Sequence, residues 1–218
     1  TAAVLEDLVR HSQGRASLLR LGSNLGKAEA VRRGLLQGLE QGADLVAYWD
    51  ADLATPLSSI ALFQGLLEER PGVDAVLGSR VRLLGKFIAR RPLRHYMGRV
   101  FATVASPMLR MPVYDTQCGA KMFRRTPALQ EALSHPFRSH WIFDVEFLGR
   151  LLGWYRQHRP EAEGQAFFEY PLPEWRDVGG SRVRPWDLIR AAMELALLYL
   201  RDLRRLPSPL PGSYSPDL

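Results

Sequence analysis

The sequence predicts an α/β fold, a mostly parallel sheet with helices on both faces. Three observations carry that expectation. Short apolar runs alternate with longer segments of helical periodicity, in the order strand–helix–strand–helix–strand. The second run, Leu45–Trp49, leads straight into a pair of aspartates, as the carboxyl end of a parallel strand leads into a ligand crevice. At 218 residues, with 46% hydrophobic and 24% charged side chains, the chain is one domain, or one domain with an appendage, and is long enough to bury a substantial core.

Taken in order, Ser17–Leu21 reads as a strand and Lys27–Gln41 as a helix with Leu35, Leu36 and Leu39 on one face. Leu45–Trp49 is an apolar strand of the buried type, followed by Asp50-Ala51-Asp52. Pro56 opens a helix to Glu69, because proline is favoured in a first turn. Pro71-Gly72 breaks that helix, and Val73–Leu77 is the next strand. After Gly78-Ser79-Arg80, the basic segment Leu83–Arg94 reads as a loop leading into a helix that continues over Tyr96–Leu109. Thr116–Phe123 is read as loop and strand, Ile142–Leu152 as a helix and Ala166–Leu172 as another strand. Pro185–Arg204 is a final amphipathic helix, and the proline- and serine-rich Pro207–Leu218 is tail or linker. No internal repeat is present.

The net charge is +6, and only Lys27, Lys86 and Lys121 among the 29 basic residues are lysines. Arginine's planar fork suits bidentate contacts to phosphate, so anionic partners fit: a nucleoside diphosphate, a lipid phosphate or a membrane surface. A nucleic-acid-binding module would account for the charge but not for the aspartate pair. No recognition-helix, zinc or aromatic-platform signature is present, so no nucleic-acid partner is expected. The single cysteine, Cys118, excludes an internal disulfide and fits a reducing compartment. Glu6, Asp7 and Arg10 interrupt any apolar run at the start, and no stretch reaches the roughly 18 apolar residues of a membrane span.

The strongest local signal is Tyr48-Trp49-Asp50-Ala51-Asp52-Leu53. Two carboxylates one residue apart repel unless a cation neutralises them, and hard oxygen donors suit magnesium or manganese bridging to a diphosphate. Equally, Asp50 or Asp52 could cap the helix that Pro56 opens. Asn24-Leu25-Gly26-Lys27 opens a helix carrying Arg32 and Arg33. It is not a Walker-type loop, since Gly22 stands one residue too close to Gly26 and Ala28 replaces the magnesium-binding hydroxyl. Arg80, at the end of the third strand, would face the same crevice as the aspartates and neutralise a phosphate, or else stand in an exposed loop. Asp115-Thr116-Gln117-Cys118-Gly119-Ala120-Lys121 groups a carboxylate, a glycine turn and a cation. Asp115 there could be a general base or an ordinary turn residue. Asp144, in Trp141-Ile142-Phe143-Asp144-Val145-Glu146, falls in a first helical turn, where a cap is the ordinary reading.

In this order the motifs Asn24-x-Gly26-Lys27-x-x-Ala30-Val31-Arg32-x-Gly34, Asp50-Ala51-Asp52, Gly78-Ser79-Arg80, Asp115–Lys121 and Trp141-x-Phe143-Asp144-x-Glu146 resemble the family 2-type (GT-A) dolichyl- and polyprenyl-phosphate glycosyltransferases. The β-glucosyltransferase branch is the nearer and the mannosyltransferase branch the second, over Thr1 to Arg184. The resemblance implies a Rossmann-like GT-A core, residues 1–184, that starts inside the fold with its first strand or strands missing. It also implies a Mg2+ or Mn2+ ion on Asp50 and Asp52, and donor or phosphate contacts from Lys27, Arg32, Asp50, Arg80, Arg91 and Lys121. Asp115 is implied to deprotonate or orient the acceptor phosphate. The implied reaction is an inverting transfer of glucose or mannose from a nucleotide sugar, UDP-glucose or GDP-mannose, to a polyprenyl phosphate at the cytoplasmic face of the membrane. A catalytically incompetent fragment or pseudoenzyme of that family is the alternative, with a basic nucleic-acid-binding domain behind it. Ala54 stands where mannosyltransferase relatives often place a glutamine ligand, so a third metal ligand would have to be another residue or water.

The helix at residues 185–206 repeats apolar residues Leu188, Ala192, Leu195 and Tyr199, with Ile189, Met193, Ala196 and Leu200 beside them and arginines at both ends. It is read either as a peripheral membrane contact or as a core helix. Residues 207–218 are expected to be a flexible tail, and homo-oligomerisation is left open.

Overall fold

A computed structural model describes residues 2–81, 83–89, 101, 103–176, 178 and 185–214. The elements run α1 (Ala2–His11), α2 (Gly26–Glu40), β1 (Leu45–Trp49), α3 (Ser59–Glu69), β2 (Ala75–Ser79), β3 (Phe87–Ala89), α4 (103–109), β4 (Ala120–Arg124), α5 (Pro127–Leu133), α6 (Phe143–His158), α7 (Glu163–Ala166), β5 (Phe167–Pro171), β6 (Glu174–Arg176) and α8 (Pro185–Arg201).

The main sheet has the order β1-β4-β2-β5. Strand β4 is antiparallel to both β1 and β2, and β2 is parallel to β5. Three strands therefore run in one direction, with β4 inserted against them. That insertion matters for the site: the carboxyl ends of β1 and β2 and the amino end of β4 meet at one edge of the sheet. A second, two-stranded parallel sheet pairs β3 with β6.

Helices cover both faces, as the segment order predicts. Leu35 and Leu39 of α2, with the apolar faces of α5 and α6, pack on Val46, Tyr48 and Phe123. On the opposite face Phe63, Leu66 and Leu67 of α3 pack on Val76, Ala120 and Met122. The period-2 alternation of β4 thus puts Lys121 on Phe123's face, beneath α6. Helices α4 and α8 add a third layer against α6 through Leu109, Leu148, Leu195 and Leu198.

Four expectations are corrected. Residues 17–21 form no strand, because no neighbouring chain offers them a hydrogen-bonded ladder in the described sheet. Strand β1 forms where expected but lies at the sheet edge, with Ala47 exposed, instead of in the interior. The helix after the aspartate pair begins at Ser59, since residues 50–58 are taken up by turns. The segment 207–214 is held against the body. Arg156 donates to the Pro207 carbonyl, Tyr214 donates to Glu163, and a side chain on Gly164 would overlap the Ser213 carbonyl. Most of the expected helix leading into 101–109 lies outside the described residues.

Helix α2 starts where Asn24 Oδ1 accepts the Gly26 N–H (3.1 Å) and Gly26 takes φ +83°, a left-handed value glycine adopts without strain. Farther along, Glu29 accepts Arg32 Nε and Arg33 Nε, each at 2.7 Å, while Arg32 Nη1 reaches the Leu133 carbonyl (2.8 Å) and ties α2 to α5. The Arg32 hydrogen bonds, opposed by burial and aided by Arg33, hold the Glu29 carboxyl down at about 2. A lowered folded-state pKa contributes stability above the unfolded value and loses it as pH falls through the folded one. Glu29→Gln is therefore expected to lower stability by about 1–3 kcal/mol at pH 7. Urea unfolding should show the difference from wild type shrinking as pH falls from 4.5 towards 2.

Candidate active site

The edge where β1, β2 and β4 meet gathers most of the chemistry-bearing residues. Asp50 leaves the end of β1, its N–H donating to the Gly119 carbonyl (2.8 Å) at the start of β4. A Cβ on Gly119 would overlap the Asp50 carboxylate, so only glycine lets the two backbones approach this closely. The start of α2 brings Lys27, whose Nζ lies 2.5 Å from Asp50 Oδ1. The Asp50 side chain keeps 38% of its surface exposed. Asp52 is exposed, and its Oδ1 accepts the Ala54 N–H (3.0 Å), closing the turn. Leu53 between them has φ +54°, an uncommon backbone state for leucine that a surrounding turn must hold in place.

Strand β2 ends by presenting Arg80. Its Nε and Nη2 donate to Asp115 Oδ2 (2.6 Å) and Oδ1 (2.8 Å), a two-point guanidinium–carboxylate pair. The guanidinium also lies 5.5 Å from the Trp175 ring centre. Burial works to lower the Arg80 pKa, but the charge and hydrogen bonds of Asp115 outweigh it and raise the pKa, with Asp50 close enough to add to the effect. Asp115 is set in place from behind: Glu169 on β5 accepts the Tyr114 N–H (2.8 Å) and the Asp115 N–H (2.7 Å). Burial pushes the Glu169 carboxyl above the usual range, despite those two hydrogen bonds.

Beneath Asp50 lies a buried network. Lys121, 1% exposed, donates to Asp144 Oδ1 (2.6 Å), the Cys118 carbonyl (2.6 Å) and the Thr116 carbonyl (3.0 Å). Tyr48 donates to the same Asp144 oxygen. Burial, and then the Asp144 charge, raise the Tyr48 pKa well above the ordinary value. Burial likewise pushes the Cys118 thiol up to about 11. Thr116 Oγ1 and Gln117 Nε2, which follow Asp115 in the chain, are buried without a hydrogen-bond partner in the protein. Buried polar atoms are seldom left so, and here they lie beside a polar crevice.

No protein-family model matches the chain. It is 30% identical over 190 residues to the dolichyl-phosphate β-glucosyltransferase ALG5C of Trichomonas vaginalis, covering 85% of this chain and 52% of the relative. It is 30% identical over 212 residues to the dolichyl-phosphate β-glucosyltransferase of Drosophila melanogaster (89% and 57%) and 28% identical over 208 residues to that of Homo sapiens (89% and 57%). The chain is a homologue of the dolichyl-phosphate β-glucosyltransferases. It spans about half the length of these curated relatives. Among solved structures, glucosyl-3-phosphoglycerate synthase from Mycobacterium tuberculosis superposes with a TM-score of 0.51 in its complex with Mn2+, UDP-glucose and glycerol 3-phosphate, and of 0.53 in its complex with phosphoglyceric acid. Sequence identity is 21% in both, and the match covers 90% of this chain and 59% of the synthase. The shared fold is the GT-A fold.

In this β-glucosyltransferase homologue the structure places Lys27 against Asp50 and Arg80 against Asp115 where β1, β2 and β4 meet. Two expected phosphate ligands do not join them. Lys121 has all three ammonium donors committed inside the protein, because its position in β4 points it beneath α6. Arg32 is buried and spent on Glu29 and Leu133, away from Asp50. Asp115, with both oxygens on Arg80, positions that guanidinium and is poorly placed to act as a base. Arg91 lies outside the described residues. Among the described residues no cluster of three or more His, Cys, Asp or Glu could hold a metal through protein ligands alone.

Sequence reasoning missed Tyr48, Glu169 and the true partner of Asp144. An acid inside the otherwise apolar run Phe167–Pro171 was the available signal for Glu169. Gly119→Ala tests the geometry. Displacing the Asp50 carboxylate by about 1 Å is expected to weaken Mn2+ binding at least tenfold while thermal unfolding stays cooperative. Mn2+ electron paramagnetic resonance titration measures the first and circular dichroism the second.

Proposed function

We propose that this chain is the catalytic core of an inverting hexosyltransferase that moves a sugar, glucose first and mannose second, from a nucleoside diphosphate to a polyprenyl phosphate. The observation that carries the reading is the joint placement of Asp50, Lys27 and Arg80 at the carboxyl ends of β1 and β2 in a homologue of dolichyl-phosphate β-glucosyltransferases. The pairing of UDP-glucose with Mn2+ in the structurally similar synthase supports a nucleotide-sugar donor and a divalent cation here.

The donor set fits such a cation. Asp50 and Asp52 offer two hard carboxylates with solvent-facing surface, suited to Mg2+ or Mn2+ that keeps water or diphosphate oxygens in its other positions. When bound, the ion would offset negative charge on the departing diphosphate. The protein's own groups do the rest. Lys27, mobile on four methylenes and half exposed, can pass from Asp50 to a diphosphate oxygen. Arg80, fixed by Asp115, presents a permanent positive charge to phosphate. The acceptor oxygen attacks the anomeric carbon as the bond to the diphosphate breaks, and the electron pair leaves with the diphosphate. Because that acceptor oxygen is already anionic, no strong base is required, which agrees with Asp115 serving to position Arg80.

A polyprenyl-phosphate acceptor is met at a bilayer and a nucleotide sugar in the cytoplasm, so the working location under this reading is the cytoplasmic face of a membrane. The test is two-part. Calorimetry should detect UDP binding that requires Mn2+ or Mg2+, and Asp50→Asn or Asp52→Asn should weaken it tenfold or more. Transfer from UDP-[14C]glucose to polyprenyl phosphate in detergent should fall about a hundredfold in Asp50→Asn. Cation-dependent UDP binding without transfer would favour the catalytically incompetent alternative. If both asparagine variants match wild type in binding and transfer, the site assignment fails.

A further inference from the structure

Glu169, on the edge strand β5, is a carboxylate that the transfer chemistry proposed above leaves unused. Its Oε2 accepts the Tyr114 N–H (2.8 Å) and its Oε1 the Asp115 N–H (2.7 Å), so two successive amides each take a separate oxygen. The Ser79 hydroxyl, on the last residue of β2, also favours its charged form. Asp115, held by its backbone, in turn holds Arg80 at three points. Its Oδ2 accepts the Arg80 main-chain N–H (3.1 Å) and Nε (2.6 Å), and its Oδ1 accepts Nη2 (2.8 Å). Oδ1 also accepts the Gln117 N–H (3.2 Å), which closes the turn on the same carboxylate. Across the sheet Glu169 stands opposite Leu77, and Leu77 opposite Lys121, so the two charges share a face with one strand between them. At about 5 Å per strand they are two spacings apart, and Lys121 is already committed to Asp144. Among the described residues, backbone dipoles and a hydroxyl, not a cation, therefore hold the charge on Glu169.

We propose that Glu169 is a positioning residue for Arg80, and that a single proton on Glu169 loosens the guanidinium that meets phosphate. A carboxylate offers an acceptor to each amide, whereas a carboxylic acid sets a hydroxyl against one of them. One amide N–H is then left unsatisfied, and the backbone at Asp115 shifts to relieve it. Arg80 follows, because its main chain and its guanidinium hang on the same carboxylate. Burial opposes the charge on Glu169, so the proton is taken up at a milder pH than by an exposed glutamate. From β2 the carboxylate faces Ser79 and, through Asp115, Arg80; from the segment before β4 it faces Asp115; along the row lie Lys121 and its partner Asp144. The inference deepens the proposed function and rests on it only for the identity of the phosphate ligand.

The Arg80 Nε–H resonance of the 15N-arginine-labelled chain, assigned with Arg80→Lys, reads the pair without any ligand. Glu169→Gln keeps the size of the side chain and places an NH2 where one amide needs an acceptor. In that variant the resonance should move and broaden at about pH 7.5, and calorimetry should show affinity for UDP with Mn2+ falling about five- to tenfold. Wild type should make the same move as pH falls from about 8 to about 5, a step the variant should lack. Titration of Asp115 itself would persist in the variant and is thereby separated. Glu169→Asp keeps two acceptors, so it should retain the acid step and lie between the variant and wild type. Tyr214→Phe, which loses a hydrogen bond to Glu163 before the start of β5, is the stability control and should leave the resonance in place. An Arg80 resonance that Glu169→Gln leaves unmoved, or an acid step equal in variant and wild type, overturns the inference. If wild type binds no UDP, the proposed function fails while the resonance still decides the role of Glu169.

Discussion

The crevice rests on one buried ion pair, Lys121 with Asp144. An ammonium 1% exposed cannot be left unpaired, and here its three donors are fully used by one carboxylate and two carbonyls. Breaking such a pair from one side costs about 3–5 kcal/mol, since it strands the other charge. The same oxygen of Asp144 takes the Tyr48 hydroxyl, so the pair fastens together β1, the 116–118 turn, β4 and the first turn of α6. Those are the segments that fix where Asp50 and Gly119 stand. The charged floor is thus structural, and the groups that can meet a ligand sit on top of it.

Strand direction explains why those groups share one place. An all-parallel sheet would bring only strand ends to the crevice. With β4 reversed between β1 and β2, its leading turn arrives at the same edge, and Asp115, Cys118 and Gly119 are threaded between Asp50 and Arg80. The turn is tight enough that Gly119 admits no side chain beside Asp50, and Glu169 on β5 secures its upstream end through two backbone amides.

How much of this was legible depends on whether a residue's role is local. Strand β1, helix α2 and the aspartate pair were readable because apolar period and turn residues sit in one short window. The places of Arg80 directly after β2 and of Lys27 in the first turn of α2 were local in the same sense. Lys121 was not, because a lysine after a glycine turn looks like an accessible cation until the register of β4 puts it on Phe123's face. Its partner Asp144 is 23 residues away and looked like a cap. Residues 17–21 had strand composition, but a strand exists only with a ladder partner, which composition does not supply. Sheet β3–β6, three residues on each side, lies below what periodicity detects.

The electrostatics of the crevice impose a final condition on any ligand. Among the described residues both of its cations already hold carboxylates, Lys27 on Asp50 and Arg80 on Asp115. A lone phosphate would have to compete with Asp50 for Lys27 and leave that carboxylate unneutralised, and a lone divalent ion would have to displace the ammonium from Asp50. Arriving together they would exchange partners without leaving a bare charge: Asp50 would hold the metal, and Lys27 would turn to the phosphate. Arg80 is the less exchangeable of the two, with its side chain 14% exposed and gripped at two points. It therefore contributes fixed potential while Lys27 contributes the movable charge. Under the proposed function a site so arranged would favour a metal–diphosphate complex over either component alone, a selectivity that would follow from the two ion pairs before any sugar is considered.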